Sequence, residues 1–325
     1  MLVQLDNVHR HFGAIKAVDG ISFAFDGGTV CGFIGPNGAG KTTTMRILAT
    51  VDLPQSGEAF IGGQSVVDYP DRVRRKIGFM PDYFGIYTQM TVWEYLDFFA
   101  RTYGLRAKAR ADRIRSVADF TDLGPLLERD VSGLSKGMKQ RLSLGRALIN
   151  DPDVLILDEP AAGLDPRARI ELLEPIRELG AAGKAILISS HILAELSKIC
   201  DYVVIIDKGK LRLTGTMAEI REHMRSGRFA RNGIAAEAQA ASVSRVTITF
   251  LAPPPDAERV LLEQPGVQRV TLAGREAIAQ HVGSPESLAN LLKALVTAGL
   301  PVIGFQTEEH GLEDVFMAVT DEGME

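Results

Sequence analysis

Gly35-Pro36-Asn37-Gly38-Ala39-Gly40-Lys41-Thr42-Thr43 fits the pattern G-x-x-x-x-G-K-S/T. An apolar run at 30–34 feeds it and a helical pattern at 42–49 leaves it, the setting in which such a loop cradles phosphate. The glycines let the backbone turn N–H groups inward, and the start of the helix adds partial positive charge. Lys41 supplies a point charge for β- and γ-phosphates, and the Thr42 hydroxyl can ligate Mg²⁺. Gly35, Pro36, Asn37, Gly38, Ala39, Gly40, Lys41, Thr42 and Thr43 are therefore all candidate phosphate-site positions.

Three more short apolar runs without charges, 154–157, 185–188 and 203–206, read as buried strands. Longer amphipathic stretches follow most of them, and this alternation predicts an α/β domain with a mainly parallel core sheet. The run at 154–157 ends in Asp158-Glu159, and catalytic groups gather at the carboxyl ends of parallel strands. There Asp158 would reach Mg²⁺ through its water shell, and Glu159 would take a proton from an attacking water. His191 follows the run at 185–188 after Ser189 and Ser190. By spacing alone it is either a solvated strand-end side chain or a polar contact to the γ-phosphate.

Between 91 and 118, Trp93, Leu96, Phe99, Ala100, Tyr103, Ile114, Val117 and Ala118 recur at helical spacing, which predicts a helical insertion with an aromatic core stripe. Residues 226–242 are rich in Ala, Gly and Arg with little apolar period and read as a flexible linker. Beyond it, strand, helix, strand, strand, helix and strand patterns follow in the order βαββαβ, the ferredoxin-like arrangement, and a last helix is expected at 312–320. The expected division is thus 1–225, 226–242 and 243–325.

The 325 residues carry 36 Lys and Arg against 41 Asp and Glu, a net charge of −5, so the overall basic balance of a dedicated nucleic-acid binder is missing. No RNP-type aromatic motif marks the expected strands, and no nucleic-acid partner is expected. Two cysteines, Cys31 and Cys200, exclude a disulfide scaffold and fit buried thiols in a reducing compartment. No stretch is long and apolar enough to span a bilayer, and the first residues do not read as a secretion signal, which predicts a cytoplasmic chain unless a partner holds it at a membrane. Basic clusters at Arg72, Arg74, Arg75 and Lys76, and at Arg106, Lys108, Arg110, Arg113 and Arg115, fit a solvated helical face or contact with a membrane or partner.

The phosphate loop, Leu134-Ser135-Lys136-Gly137-Met138-Lys139-Gln140-Arg141, Leu157-Asp158-Glu159-Pro160, Gly163-Leu164-Asp165 and His191 occur in that order. Together they resemble the nucleotide-binding subunit of an ATP-binding cassette (ABC) transporter, over about the first 225 residues. The resemblance implies a P-loop ATPase domain with a mainly parallel core sheet, an antiparallel β subdomain and a helical subdomain at about 88–150, followed by the small α+β ferredoxin-like domain. It implies ATP and Mg²⁺ as ligands and a head-to-tail homodimer in which each ATP lies between the phosphate loop of one copy and the signature of the other. Ser135 and the backbone of Gly137 would face the partner's γ-phosphate, Asp165 would sit in the loop crossing the interface, and Phe12 would stack on adenine. His191 would be the switch histidine, and Glu159, His191 and Lys41 the catalytic set.

Asp82-Tyr83-Phe84-Gly85, Val92-Trp93-Glu94-Tyr95-Leu96 and Leu312-Glu313-Asp314-Val315-Phe316 resemble ATPase subunits of the ABC-2 export type, whose usual partner is a separate integral membrane permease. This implies peripheral association with the cytoplasmic face of the membrane. Tyr83, Phe84 and Tyr87 fit a docking surface for that permease or packing under the helical insertion. Lys136 and Met138 depart from the usual Leu-Ser-Gly-Gly-Gln signature, and Ala161 and Ala162 stand where hydroxyl residues are common. Asp82 replaces a usual Gln that touches Mg²⁺ and the attacking water, and its carboxylate oxygen is expected to keep a metal-ligating role with altered geometry. A soluble ABC ATPase acting on nucleic acid or ribosomes is the competing expectation, but neither a second cassette nor a long coiled-coil or zinc insertion is visible.

Overall fold

The computed structural model describes residues 1–83, 85, 89–190, 192–220, 243–252 and 255–308. The chain divides into two compact units, Met1–Met217 and Ala218–Glu325. The linker expected at 226–242, the terminal helix expected at 312–320, and the residues Phe84, Tyr87 and His191 lie outside the described residues.

In the first unit, the apolar runs read from sequence become strands β3 (Val30–Ile34), β7 (Val154–Leu157), β8 (Ala185–Ser189) and β9 (Tyr202–Asp207). With β6 (Ile77–Met80) and β10 (Lys210–Thr216) they form a six-stranded sheet of order β10-β9-β3-β8-β7-β6. The pairs β3–β8, β3–β9, β7–β8 and β6–β7 are parallel, and only β10 runs antiparallel, on β9. Strands β3, β7 and β8 are buried along their whole length, which is why they read as unbroken apolar runs.

A second, antiparallel sheet of order β2-β1-β4-β5 is built from β1 (Val3–Phe12), β2 (Ile15–Phe25), β4 (Ser56–Ile61) and β5 (Gln64–Ser65). Val3, Leu5, Ile21, Phe23 and Ile61 of this sheet share one core with Phe33, Ile156 and Val204 of the parallel sheet and with Met45, Ile47 and Leu48 of α1 (Lys41–Leu48). That shared core fixes the helix that leaves the phosphate loop.

The helical part contains α3 (Val92–Thr102), α4 (Ala107–Phe120) and α5 (Lys136–Leu148), after the short α2 (Pro70–Arg74). A capping box starts α3: Thr91 Oγ1 accepts from Glu94 N at 3.2 Å and Glu94 Oε2 accepts from Thr91 N at 2.8 Å. The buried face of α3 runs through Val92, Tyr95, Leu96 and Ala100, so Leu96 and Ala100 of the expected stripe are core, while its buried aromatic is Tyr95 in place of Trp93, Phe99 and Tyr103. Trp93 and Phe99 are only half-buried because arginines cover them, Arg115 at 5.7 Å and Arg146 at 5.3 Å from the ring centroids, and Tyr103 is exposed. In the two basic clusters, Arg74 pairs with Asp71, Arg110 with Asp97, Arg113 with Asp151 and Arg115 with Asp112. No helix among the described residues is long and apolar enough to cross a membrane.

The second unit holds β11 (Val243–Phe250), α7 (Ala257–Leu262), β12 (Val267–Ala273), β13 (Glu276–Val282), α8 (Pro285–Thr297) and β14 (Val302–Glu308). The sheet order β12-β13-β11-β14, antiparallel throughout, is that of a ferredoxin-like fold. Its core packs Val246, Ile248 and Phe250 against Leu261 and Leu295 of the two helices.

Candidate functional site

The phosphate loop is held by close approaches that admit only glycine. Gly40 has φ +106°, and a Cβ there would stand 2.1 Å from the Ala17 carbonyl oxygen. At Gly35 a Cβ would stand 2.5 Å from the Ile206 carbonyl oxygen. No side chain caps α1, so its first amide N–H groups remain available to an anion. Gly35, Ala39, Gly40 and Lys41 are buried, while Pro36, Asn37, Gly38 and Thr42 are exposed and Thr43 is half-buried.

Lys41 is 7% exposed, and its Nζ donates to the Gly35 carbonyl at 2.7 Å and the Pro36 carbonyl at 3.3 Å. The ammonium is thereby aimed along the inner wall of the loop. Burial pushes its pKa down, and the nearby charges of Glu159 and Asp158 oppose this.

Asp158 and Glu159 leave the carboxyl end of β7. Asp158 N donates to the Met80 carbonyl at 2.8 Å, which brings the end of β6, and the segment carrying Asp82, alongside. The Asp158 carboxylate is 1% exposed. Its Oδ1 accepts from Ser189 Oγ at 2.7 Å, and its Oδ2 is buried with no hydrogen-bond partner. Burial raises the Asp158 pKa, the Ser189 and Thr42 hydroxyls pull it down, and the charges of Asp82 and Glu159 raise it further. An unpartnered buried carboxylate oxygen, with a threonine hydroxyl and a second carboxylate in its field, is the oxygen donor set that a hard cation such as Mg²⁺ takes.

Glu159 sits at φ +49°, the left-handed region that a non-glycine residue adopts at a cost of about 1–3 kcal/mol. The Glu159 N–H donates to Ser189 Oγ at 2.8 Å, so one hydroxyl holds both carboxylate residues. Ser189 was not singled out from sequence; the only signal was a hydroxyl residue closing an apolar strand, a common pattern. Ser189→Ala removes both bonds, so denaturant unfolding of this variant should show a loss of about 1–3 kcal/mol, together with reduced turnover of nucleotide.

A second group forms where α5 meets α6 (Pro166–Ala181). Ser135 caps α5, its exposed Oγ accepting from Met138 N at 3.3 Å. Asp165 caps α6, Oδ1 accepting from Arg167 N at 3.1 Å and Ala168 N at 3.0 Å, and these backbone bonds help lower its pKa. Gly137 packs by Ala168 and Leu164, and the Lys136 side chain, in place of the usual glycine, lies against Gly163. Among the described residues, no hydrogen bond or ion pair joins this group to Lys41 or Asp158. Ser135 and Asp165 are both exposed at the helix N-termini that they cap.

Phe12, at the end of β1, is 48% exposed, with the Arg10 guanidinium 4.6 Å from its ring centroid. Tyr83 is 88% exposed. Both cysteines are free and buried, which pushes their thiol pKa values up.

The family model described as "ABC transporter" matches residues 18–162. The "Nod factor export ATP-binding protein I" of Ralstonia nicotianae is 32% identical over 324 residues, 99% of this chain and 95% of the relative. A daunorubicin resistance ATP-binding protein of Streptomyces coeruleorubidus is 31% identical over 321 residues, 98% of this chain and 95% of the relative. A solved ATP-binding subunit of an ABC transporter superposes with TM-score 0.63 at 33% identity, covering 69% of this chain and 93% of that one. A dimeric bacterial ABC transporter cassette shares the fold at TM-score 0.61 and 22% identity, covering 66% of this chain and 98% of that one.

Proposed function

The chain belongs to the ABC transporter family as an ATP-binding subunit of the export type, and on that footing we propose that it hydrolyses ATP to power an ABC-2 type permease carried on a separate chain. The observation that carries this reading is that Asp158 and Glu159, both held by Ser189 at the carboxyl end of β7, lie close enough to Lys41 for their charges to act on its ammonium. The loop from Gly35 to Thr43 wraps the phosphates with N–H groups, and Lys41 neutralises the β- and γ-phosphates. Thr42, Asp158 and Asp82 would hold Mg²⁺, which when bound offsets the negative charge of the triphosphate. Glu159, positioned by its backbone bond to Ser189, takes the proton of the attacking water. His191, from its place just after β8, adds a polar contact to the γ-phosphate. Phe12 offers adenine the ring face that Arg10 leaves uncovered.

Two copies close head to tail, so that Ser135 and Gly137 of one reach the γ-phosphate on the other and Asp165 lies in the crossing loop. The exposed Ser135 and Asp165 and the two helix N-termini support this arrangement. The membrane partner docks on the side of Tyr83. A groove of about 440 Å³ lined by Arg74, Phe79, Phe99, Tyr103 and Arg146 offers it apolar and cationic contact.

The test is purification of the tagged full chain from detergent-solubilised membranes. The expected outcome is co-elution with a membrane protein of several spans and ATP turnover that depends on both proteins. Elution of the chain alone, with turnover indifferent to membrane protein, would overturn the export reading.

A further inference from the structure

Strand β1 carries two histidines that the nucleotide site does not use. Its pairing with β2 shifts register between Val8 and His9 and again between Arg10 and His11, leaving His9 opposite Asp19 and His11 opposite Lys16. These irregularities bring both imidazoles to one carboxylate. Asp19 Oδ1 lies 3.3 Å from His9 Nδ1 and 3.6 Å from His11 Nε2. All three atoms are within 4.8 Å of one another. Two ligands on a tetrahedral ion, with bonds of about 2.0–2.1 Å, stand about 3.3 Å apart.

The surroundings of the two rings point the same way. His9 Nε2 is 3.2 Å from Asn7 Oδ1, an acceptor, so that bond places the His9 proton on Nε2. In the neutral ring Nδ1 is then a bare lone pair facing a carboxylate oxygen. His11 Nε2 is buried and makes no hydrogen bond. One carboxylate oxygen therefore faces two imidazole nitrogens, and a cation between them would satisfy all three atoms. The Asn7 contact is also the outer-shell acceptor that orients a metal-bound histidine. Room for it comes from Gly20, where a Cβ would stand 3.2 Å from Asn7 Oδ1 and 3.4 Å from the His9 ring. The other oxygen, Asp19 Oδ2, faces Lys16 Nζ at 3.5 Å and Lys210 Nζ at 3.8 Å, which leaves Oδ1 to the histidines. Both lysine side chains are mostly exposed, so solvent and salt screen their charge.

We propose that His9 Nδ1, His11 Nε2 and Asp19 Oδ1 form a three-ligand site for a divalent transition metal, with zinc the ion that suits two imidazoles and a carboxylate. Water completes a tetrahedral shell. The site lies beside the hairpin that presents Phe12, and an ion there would pin β1 to β2 at the register shift.

The test uses the full chain, stripped with a chelator and titrated with Zn²⁺ alone against a chromophoric competitor. Wild type is expected to take up one equivalent, and Co²⁺ to give the visible absorption of a tetrahedral site. His9→Ala/His11→Ala should lose that equivalent, and Asn7→Ala should weaken it by about 10- to 100-fold. The histidines are 27% and 31% exposed, so the double variant should fold; Asp19→Asn, which keeps the shape of the side chain, provides the same readout should it not. Failure of wild type to bind stoichiometric zinc would overturn the proposal, leaving a proton-held His–Asp clasp. Unchanged uptake in the double variant or in Asp19→Asn would overturn it as well, by placing the metal elsewhere.

Discussion

Glu159→Gln is expected to keep ATP binding and lower hydrolysis by about 10²- to 10⁴-fold, the usual contribution of a positioned general base. The substitution is nearly isosteric. The backbone at φ +49° and the N–H bond to Ser189 Oγ do not depend on the carboxylate, so the site keeps its shape. What is lost is the acceptor for the water's proton. Removing one negative charge near Asp158 should also ease the approach of a triphosphate, and with hydrolysis blocked the ATP-bound closed dimer should accumulate. Single-turnover hydrolysis and size exclusion with ATP and Mg²⁺ test both parts. If Glu159→Gln retained most of the turnover, another group would be the base, and the strained backbone at 159 would have to serve some other purpose.

The residues proposed to carry this chemistry stand out in the sequence because their local context is unusual. A fully buried parallel strand reads as a short unbroken apolar run, and β3, β7 and β8 each end where polar or glycine residues begin. The second unit was legible for a different reason: one face of β11 and β13 is solvated, so Val246, Ile248 and Phe250 alternate with polar residues. The antiparallel sheet of the first unit was not readable from periodicity. Along β1 the buried positions run Val3, Leu5, Val8, because register slips between Leu5 and Val8 and Asn7 takes φ +46°. A shift of one residue reverses the faces of a strand, so the alternation cancels over its length. Edge strand β10 was missed because every other residue is exposed and polar or charged side chains interrupt it. Ser189 escaped notice because its role depends on pairing between β7 and β8, which brings it beside Asp158 across 31 residues. In α3, Leu96 and Ala100 follow the helical spacing into the core, but the size of an aromatic does not show whether core or an arginine covers it, and Trp93 and Phe99 pack beneath arginines.

Lys41→Ala is expected to abolish tight ATP binding. Charge-assisted hydrogen bonds contribute about 1.5–3 kcal/mol each, and losing the contacts to both the β- and γ-phosphates corresponds to ATP affinity about 10²- to 10⁴-fold weaker. A second effect acts on the unliganded protein. Lys41 Nζ is the donor for the Gly35 and Pro36 carbonyls, and the Gly35 bond is buried, so alanine leaves the loop's inner wall unsatisfied. Lys41→Met loses the ammonium and both carbonyl bonds, as alanine does, but keeps the buried apolar stem, so comparing the two isolates the packing of the stem. If the charge governs affinity, Met and Ala should bind ATP equally poorly. If packing of the stem against the loop contributes, Met should recover part of the binding. Equilibrium titration with ATP and Mg²⁺ on both variants decides between them. Wild-type affinity in Lys41→Met would mean that the triphosphate is held elsewhere.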